Sequence, residues 1–182
     1  MTMTLVSSVT VGAGGAASID FTSIPQTGTD LVLKYSLRGT YSGVSAVGVG
    51  FRLNGDSGAN YSKKNLRATT SLVQSFSTSG GTTTDPGFAP GPTATSNTFS
   101  NSEIYIPNYT STTTKIISAD ATQENNTTTQ YDWFLMLMAG SYSTSSPITS
   151  LKLYSTYGDN WAQGSTVSLY TITKGSGGAT VS

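Results

Sequence analysis

Nine carboxylates are the side chains of this 182-residue sequence best suited to acid–base chemistry. The chain contains no His and no Cys, so the commonest general base near neutral pH and the thiolate nucleophile are both missing. Two carboxylates are enough for glycoside hydrolysis, with one as acid and the other as base or nucleophile. The nine are scattered, mostly at predicted strand ends or turns, where Asp stabilises the local backbone. We therefore predict no catalytic residues, no enzymatic activity and no carboxylates at adjacent strand positions. The acids are Asp20, Asp30, Asp56, Asp85, Glu103, Asp120, Glu124, Asp132 and Asp159.

One carboxylate stands among other oxygen-bearing side chains. Asp56, with Asn54, Ser57 and Asn60, could place oxygens around Ca²⁺, a hard cation that prefers such ligands. An Asn-Gly-Asp-Ser-Gly run is more often a simple turn. Transition metals also lack their usual His and Cys ligands in this chain. We predict no metal ion and no cofactor.

Aromatic side chains near predicted loops are a second possible binding feature. Tyr41, Tyr109, Tyr142, Tyr157 and Trp161 all lie close to turn sequences. Exposed rings of this kind can stack on sugars, or they can pack the ends of a β-sandwich with their polar atoms reaching water. If the protein binds a host glycan, the predicted contacts are Tyr109, Tyr157 and Trp161.

The charge balance of the chain argues against two classes of partner. Lys plus Arg number 9 and Asp plus Glu number 9, which gives a formal net charge of zero. Nucleic acids and anionic membranes both favour clustered basic residues, so neither is expected as a partner. The longest apolar run, residues 133–139, is far shorter than the roughly 20 residues of a membrane-spanning helix. The first ten residues show no secretory signal.

The elements that must position these residues are β-strands. Apolar residues alternate with polar ones over Leu31–Leu37 and Val47–Leu53, the period of two that buries one face of a strand. Gly48 and Gly50 occupy the second face of the latter segment, which predicts a close neighbour above them. No segment shows the periodicity of a helix. The other predicted strands are Leu5–Val11, Ser18–Phe21, Leu66–Phe76, Phe99–Ile106, Thr114–Thr122, Gln130–Ala139, Ile148–Ser155 and Thr166–Thr173.

About ten strands without crossover helices predict an all-β fold, an antiparallel two-sheet sandwich of the jelly-roll type. Residues 1–174 are predicted to form one sandwich domain, and residues 175–182 a Gly/Ser-rich tail. Residues 77–97 are rich in Gly and Pro and read as a long irregular excursion. This excursion is either a surface loop or an arm that orders against a neighbouring subunit, with Phe88 as its anchor.

The segment Trp133–Ala139 is apolar on both faces. Trp133, Leu135, Leu137 and Ala139 share one face, and Phe134, Met136 and Met138 share the other. A sandwich strand normally shows water one polar face, so this strand requires cover on both sides. Exposing the face with the two methionines would forfeit roughly 1.5 to 3 kcal/mol per side chain. We predict that a second subunit covers it, with the long excursion of the same chain as the competing cover.

Four runs of sequence resemble segments of tailed-phage virion proteins, notably those of cyanophages and other aquatic phages. They are residues 24–33 (IPQTGTDLVL), 51–62 (FRLNGDSGANYS), 106–111 (IPNYTS) and 164–172 (GSTVSLYTI). The resemblance implies a β-sandwich used in the phage particle, as a capsid cement or decoration protein or as a module that ends a tail fibre. Fibre modules follow a long trimeric stalk, whereas the first predicted strand here begins almost at Met1, which favours the capsid role.

These considerations together predict a virion protein of the phage head surface, a homotrimer that cements the shell by contact with the major capsid protein. Zero net charge removes repulsion between many crowded copies, and weak contacts repeated on a closed lattice add through multivalency. In this interpretation Phe134, Met136, Met138 and Phe88 form the interface. The alternative is a tail-fibre or receptor-binding module that contacts host-surface glycan.

Overall fold

The computed structural model describes residues 2–69, 71–124 and 134–174, and this part of the chain is all-β. It contains twelve strands, all paired antiparallel in two sheets, so the predicted two-sheet sandwich is confirmed. The strands are β1 (Thr2–Thr10), β2 (Ser18–Phe21), β3 (Asp30–Ser36), β4 (Ala46–Leu53), β5 (Tyr61–Ala68), β6 (Val73–Gly81), β7 (Thr84–Pro90), β8 (Asn101–Ile106), β9 (Lys115–Gln123), β10 (Phe134–Tyr142), β11 (Leu151–Ser155) and β12 (Thr166–Thr173).

The two sheets differ in size. The large sheet has eight strands in the order β1-β12-β3-β8-β9-β10-β5-β6, and the small sheet has four in the order β2-β11-β4-β7. The chain crosses between the sheets at most connections, while the consecutive pairs β5–β6, β8–β9 and β9–β10 stay within the large sheet. The small sheet therefore covers one face of the large sheet, and the opposite face looks outward.

The core lies between the sheets and is built by strict alternation. In β9 every second residue from Lys115 to Gln123 is buried, and β10 repeats the pattern from Phe134 to Tyr142. The small sheet contributes fully buried apolar side chains such as Phe51. Each such side chain stabilises the fold by about 1.5 to 3 kcal/mol relative to its exposed state. Across the described residues no helix has the length and apolar character required to traverse a bilayer.

The close neighbour predicted above Gly48 and Gly50 is present. A Cβ atom at Gly50 would lie 2.5 Å from the ring of Tyr154, which is its cross-strand partner on β11. A Cβ atom at Gly48 would lie 2.4 Å from Oγ1 of Thr156. The Arg52 guanidinium covers the same tyrosine ring at 5.0 Å from its centroid. On the outer face of the small sheet, the Tyr154 ring thus lies across Gly50.

Two sequence predictions about segments are wrong. Residues 66–76 form a hairpin instead of one strand, because the chain reverses between Ala68 and Val73, which pair with each other. Residues 77–97 are not an irregular excursion, since they contain the end of β6 and all of β7. Gly87 allows β7 to lie directly on the large sheet, and a Cβ atom there would be 2.4 Å from Cβ of Ala121. The predicted tail, residues 175–182, lies outside the described residues.

Candidate functional site

The predicted interface residues on β10 lie in the interior of the chain itself. Phe134, Met136 and Met138 are all buried, with at most 5% of each exposed. They point toward the small sheet, where β7 covers them, and Thr84 donates a hydrogen bond of 2.9 Å to Sδ of Met138. The prediction that a second subunit covers this face is therefore corrected. The competing cover, the segment 77–97 of the same chain, is the one observed.

Phe88 is likewise an internal contact. Its ring stacks on that of Phe134, with centroids 4.5 Å apart and planes inclined by 16°. It is half-buried on β7 and lies beside Arg67, whose guanidinium is 5.8 Å from the ring centroid. The residue anchors its segment as predicted, but it does so on its own chain and not on a neighbouring subunit.

Exposed apolar side chains instead gather on the outward face of the large sheet. Leu66 of β5 and Leu137 of β10 are cross-strand partners, and Leu135 and Val73 lie beside them on the same face. The exposed fractions are 49% for Leu66, 52% for Leu137, 49% for Leu135 and 74% for Val73. We call these four residues the outer apolar patch. Large exposed apolar groups that cluster in this way mark interaction surfaces.

Both edge strands of the large sheet carry free main-chain groups next to exposed side chains. β1 and β6 are each nine residues long, contain no charged residue and no proline, and are exposed along most of their length. Edge strands are usually protected by Lys or Pro, because their unpaired N–H and C=O groups template further pairing. In β1, a bulge between Leu5 and Ser7 interrupts the regular pairing and so protects this edge in part.

The register also brings two carboxylates together, contrary to the sequence prediction. Glu103 of β8 lies opposite Asp120 of β9 on the outward face. The Lys34 ammonium is 2.6 Å from Oε2 of Glu103, and this ion pair raises the pKa of Lys34. The pair lies on an exposed sheet surface, where Glu103 is engaged by a cation. Its environment is not the apolar pocket that keeps a glycosidase acid protonated.

Two of the three predicted glycan contacts are core residues. Tyr109 and Trp161 have no exposed surface. The Tyr109 hydroxyl donates to the carbonyl of Pro25 and accepts a hydrogen bond from Gly28 N. The main chain of Trp161 pairs with that of Ala16. Both residues close the ends of the sandwich. The prediction that either one contacts a glycan is therefore corrected.

The third predicted glycan contact lies in an exposed aromatic pair. Tyr157 is 48% exposed, and its ring centroid is 4.8 Å from that of Tyr41. Asp159 holds the two loops together: its Oδ2 accepts hydrogen bonds from the N–H groups of Thr40 at 2.6 Å and Tyr41 at 2.7 Å. Its Oδ1 accepts a hydrogen bond from Oγ of Ser155. Of the three predicted glycan contacts, Tyr157 is therefore the one that lies at the surface.

The carboxylate of Asp56 is used within its own turn. Oδ1 accepts a hydrogen bond of 2.7 Å from Gly58 N, and Oδ2 accepts one of 2.8 Å from Nδ2 of Asn60. These bonds lower the pKa of Asp56, because both favour the ionised form. Asn54 adopts a positive φ of 53°, and its Oδ1 accepts a hydrogen bond of 2.8 Å from Thr149 N. The described residues contain no cluster of three or more acidic, His or Cys side chains.

No protein-family model, curated protein or solved structure matches this chain.

Proposed function

We propose that this protein is a structural component of a tailed-phage virion, a cement or decoration protein that stabilises the head by bridging capsomers as a homotrimer. It acts by surface contact, without enzymatic activity, on the head surface of the particle. Its partners in this role are other copies of itself and the major capsid protein. The four sequence runs that resemble phage virion proteins support the location.

The observation that carries the contact role is the outer apolar patch. Its three leucines are about half-exposed, although the chain buries the two methionines of β10. Covering such side chains contributes a favourable free energy of roughly 25 cal/mol per Å² of apolar surface removed from water. A sheet face that carries them is therefore suited to a partner surface.

The electrostatics of the chain suit dense packing on a shell. The net charge is zero, so long-range repulsion between neighbouring copies is small. Contacts of modest strength, repeated over a closed lattice, then add through multivalency and need no single tight site. The two uncharged edge strands offer further main-chain surfaces for such contacts.

The strand order supports a jelly-roll topology for this protein. If the hairpins β5–β6 and β9–β10 are treated as additions, four strands remain in each sheet, β1-β12-β3-β8 over β2-β11-β4-β7. Successive strands of this reduced chain cross between the two sheets at every step except from β4 to β7, which are neighbours in the small sheet, and a jelly roll has the same pattern. The added hairpins carry the outer apolar patch, so we propose that they are the part of the fold devoted to contact.

Copy number in purified particles tests this function. Quantitative mass spectrometry of the protein against the major capsid protein is expected to give a stoichiometry set by the equivalent sites of the shell. A cement protein is expected at every equivalent site of such a lattice, whereas fibre modules are expected in few copies per particle. A count in the fibre range, or absence of the protein from particles, overturns the proposal.

The exposed Tyr41–Tyr157 pair favours a second candidate, a tail-fibre or receptor-binding module that stacks on host-surface glycan. This function predicts that Tyr157→Ser removes binding of purified host polysaccharide. Trp161→Ala is unsuitable for this test, because the indole is buried and its loss would disturb the core.

A further inference from the structure

A cleft of about 250 Å³ opens between the β5–β6 hairpin and β7. Asn65 and Arg67 line it from the inward face of β5, Phe76 from β6 and Phe88 from β7. Met136 of β10 contributes to its lining. The large sheet extends beyond the small sheet at this end, so the hairpin forms one wall of an open site.

Two buried polar atoms in this cleft lack hydrogen-bond partners among the described residues. They are Oδ1 of Asn65, an acceptor, and Nε of Arg67, a donor. Asn65 is 91% buried, since only 9% of it is exposed. Buried polar atoms are rarely left unpaired, because each such loss costs about 1 to 3 kcal/mol. Both side chains line the cleft from one strand, two residues or about 6.6 Å apart along it.

The rest of the Arg67 guanidinium is fixed in place. It lies 4.6 Å from the ring centroid of Phe76 and 5.5 Å from that of Phe134, and Nη2 donates a 2.8 Å hydrogen bond to Oε1 of Gln74. Preorganised donors of this kind bind a ligand without losing much side-chain freedom. Nε remains a buried donor without a hydrogen-bond partner among the described residues.

The hydrogen-bonding atoms of the cleft favour a neutral ligand, although Arg67 gives its lining one positive charge that no ion pair within the described residues balances. Lys63 and Asp85, which also line it, form an ion pair with each other, so their charges cancel. An anionic ligand would suit Arg67 but would meet the lone pairs of Asn65 Oδ1, which require a donor. A hydroxyl group satisfies both atoms, since it donates and accepts.

We propose that this cleft binds one neutral pyranose ring. Hydroxyl groups of the sugar donate to Asn65 Oδ1 and accept from Arg67 Nε, while the C–H surface of the ring lies against Phe76. The phenyl ring of Phe76 is 45% exposed and so is available for this contact. The site is separate from the outer apolar patch, which lies on the opposite face of the sheet, and it does not depend on the proposed role in the shell.

Titration of the whole protein with D-glucose, D-galactose and N-acetyl-D-glucosamine tests the proposal. Saturation-transfer NMR and ¹⁵N–¹H spectra are expected to show at least one sugar binding with a Kd on the order of 1 mM, with shifts at the amides of residues 65, 67 and 76. Asn65→Leu removes the acceptor at similar volume, and Phe76→Ser removes the apolar wall at a half-exposed position. Each is expected to weaken binding at least tenfold, while Ser75→Ala, on the opposite face of β6, is expected to leave it unchanged.

Three outcomes overturn the inference. The first is no binding of any of the three sugars up to about 10 mM, well above the expected Kd. The second is unchanged binding in a folded Phe76→Ser variant, which keeps the test valid even if Asn65→Leu does not fold. The third is loss of binding in Tyr157→Ser with the cleft variants unaffected, which assigns the sugar to the Tyr41–Tyr157 pair.

Discussion

The ring of Phe88 on β7 stacks against that of Phe134 on β10, with centroids 4.5 Å apart. This contact joins the small sheet to the large one at the strand where both faces are apolar. It marks the interior face of β10, because Met136 and Met138, at alternate positions of the same strand, point the same way as Phe134. The opposite face, with Leu135 and Leu137, is left to the outside.

Truncation of the β7 ring that packs on the inner face of β10 and truncation of a leucine on its outer face are therefore expected to have different effects on stability. Phe88→Ala removes the stacked ring and leaves a cavity, and we expect it to lower the free energy of unfolding by about 2 to 3 kcal/mol. Leu137→Ala, on the exposed face, is expected to change it by no more than about 0.5 kcal/mol. Urea unfolding at low protein concentration measures both. Equal losses in the two variants would contradict this assignment of the faces.

The two faces of β10 could not be told apart from sequence. Period-two alternation defines the faces of a strand but does not say which face is inward when both are apolar. The signals that decide it are distant in sequence: Ala119 and Ala121 on β9 leave room for the methionines, and Gly87 lets β7 approach. Only the register of three strands brings these small residues together.

Other sequence expectations succeeded where the signal was local and failed where it was not. The neighbour above Gly50 was predictable because glycine in a strand signals close approach. The turn between Ala68 and Val73 was missed because the intervening residues include no Gly or Pro. Tyr109 and Trp161 stand near turn sequences, yet the sandwich ends fold over them, and only the three-dimensional structure shows that cover.

Gly50 is expected to tolerate no side chain. Gly50→Ala would place Cβ 2.5 Å from the Tyr154 ring, and such overpacking costs about 1 to 3 kcal/mol. Gly12→Ala is the matched control, because no atom lies within 4 Å of the position that its methyl group would take and its φ is not positive. The control is expected to be neutral or to stabilise by about 0.4 to 1 kcal/mol. Thermal unfolding compares the two, and adding Tyr154→Ser to Gly50→Ala is expected to restore part of the loss.

The stability of the fold is expected to fall above about pH 10, partly because of Tyr35. Burial raises the pKa of this hydroxyl far above its usual value. The unfolded chain therefore loses the phenolic proton first, and each buried tyrosine of this kind removes about 1.4 kcal/mol per pH unit above pH 10. Tyr35→Phe is expected to show a shallower decline in melting temperature between pH 9 and about pH 11. An identical decline in both proteins would contradict the assignment.

The Glu103–Asp120 pair is expected to oppose folding slightly. Like charges directly opposite each other on neighbouring strands are destabilising, and Lys34 contacts Glu103 rather than Asp120. Asp120→Asn is expected to raise the free energy of unfolding by about 0.2 to 1 kcal/mol at low salt, and by less at high ionic strength. Asp20→Asn, at a carboxylate of the small sheet, is the control. A loss of stability in Asp120→Asn would show that attraction to Lys34 outweighs the repulsion.

The outer apolar patch is expected to drive self-association. Leu135→Lys combined with Leu137→Lys puts charges on this face without touching the core, so the monomer is expected to keep its melting temperature and lose its association. Sedimentation velocity at micromolar concentration compares the variant with the unmodified protein, for which a trimer is expected.

Because the chain has no Cys, Leu66→Cys adds a unique thiol, whose labelling rate in the assembled protein is expected to fall at least tenfold on burial. Lys152→Glu, which changes charge on the small sheet, is the control and is expected to leave association intact. If the unmodified protein is a monomer throughout, or if the double variant still associates, the patch is not the contact surface between copies.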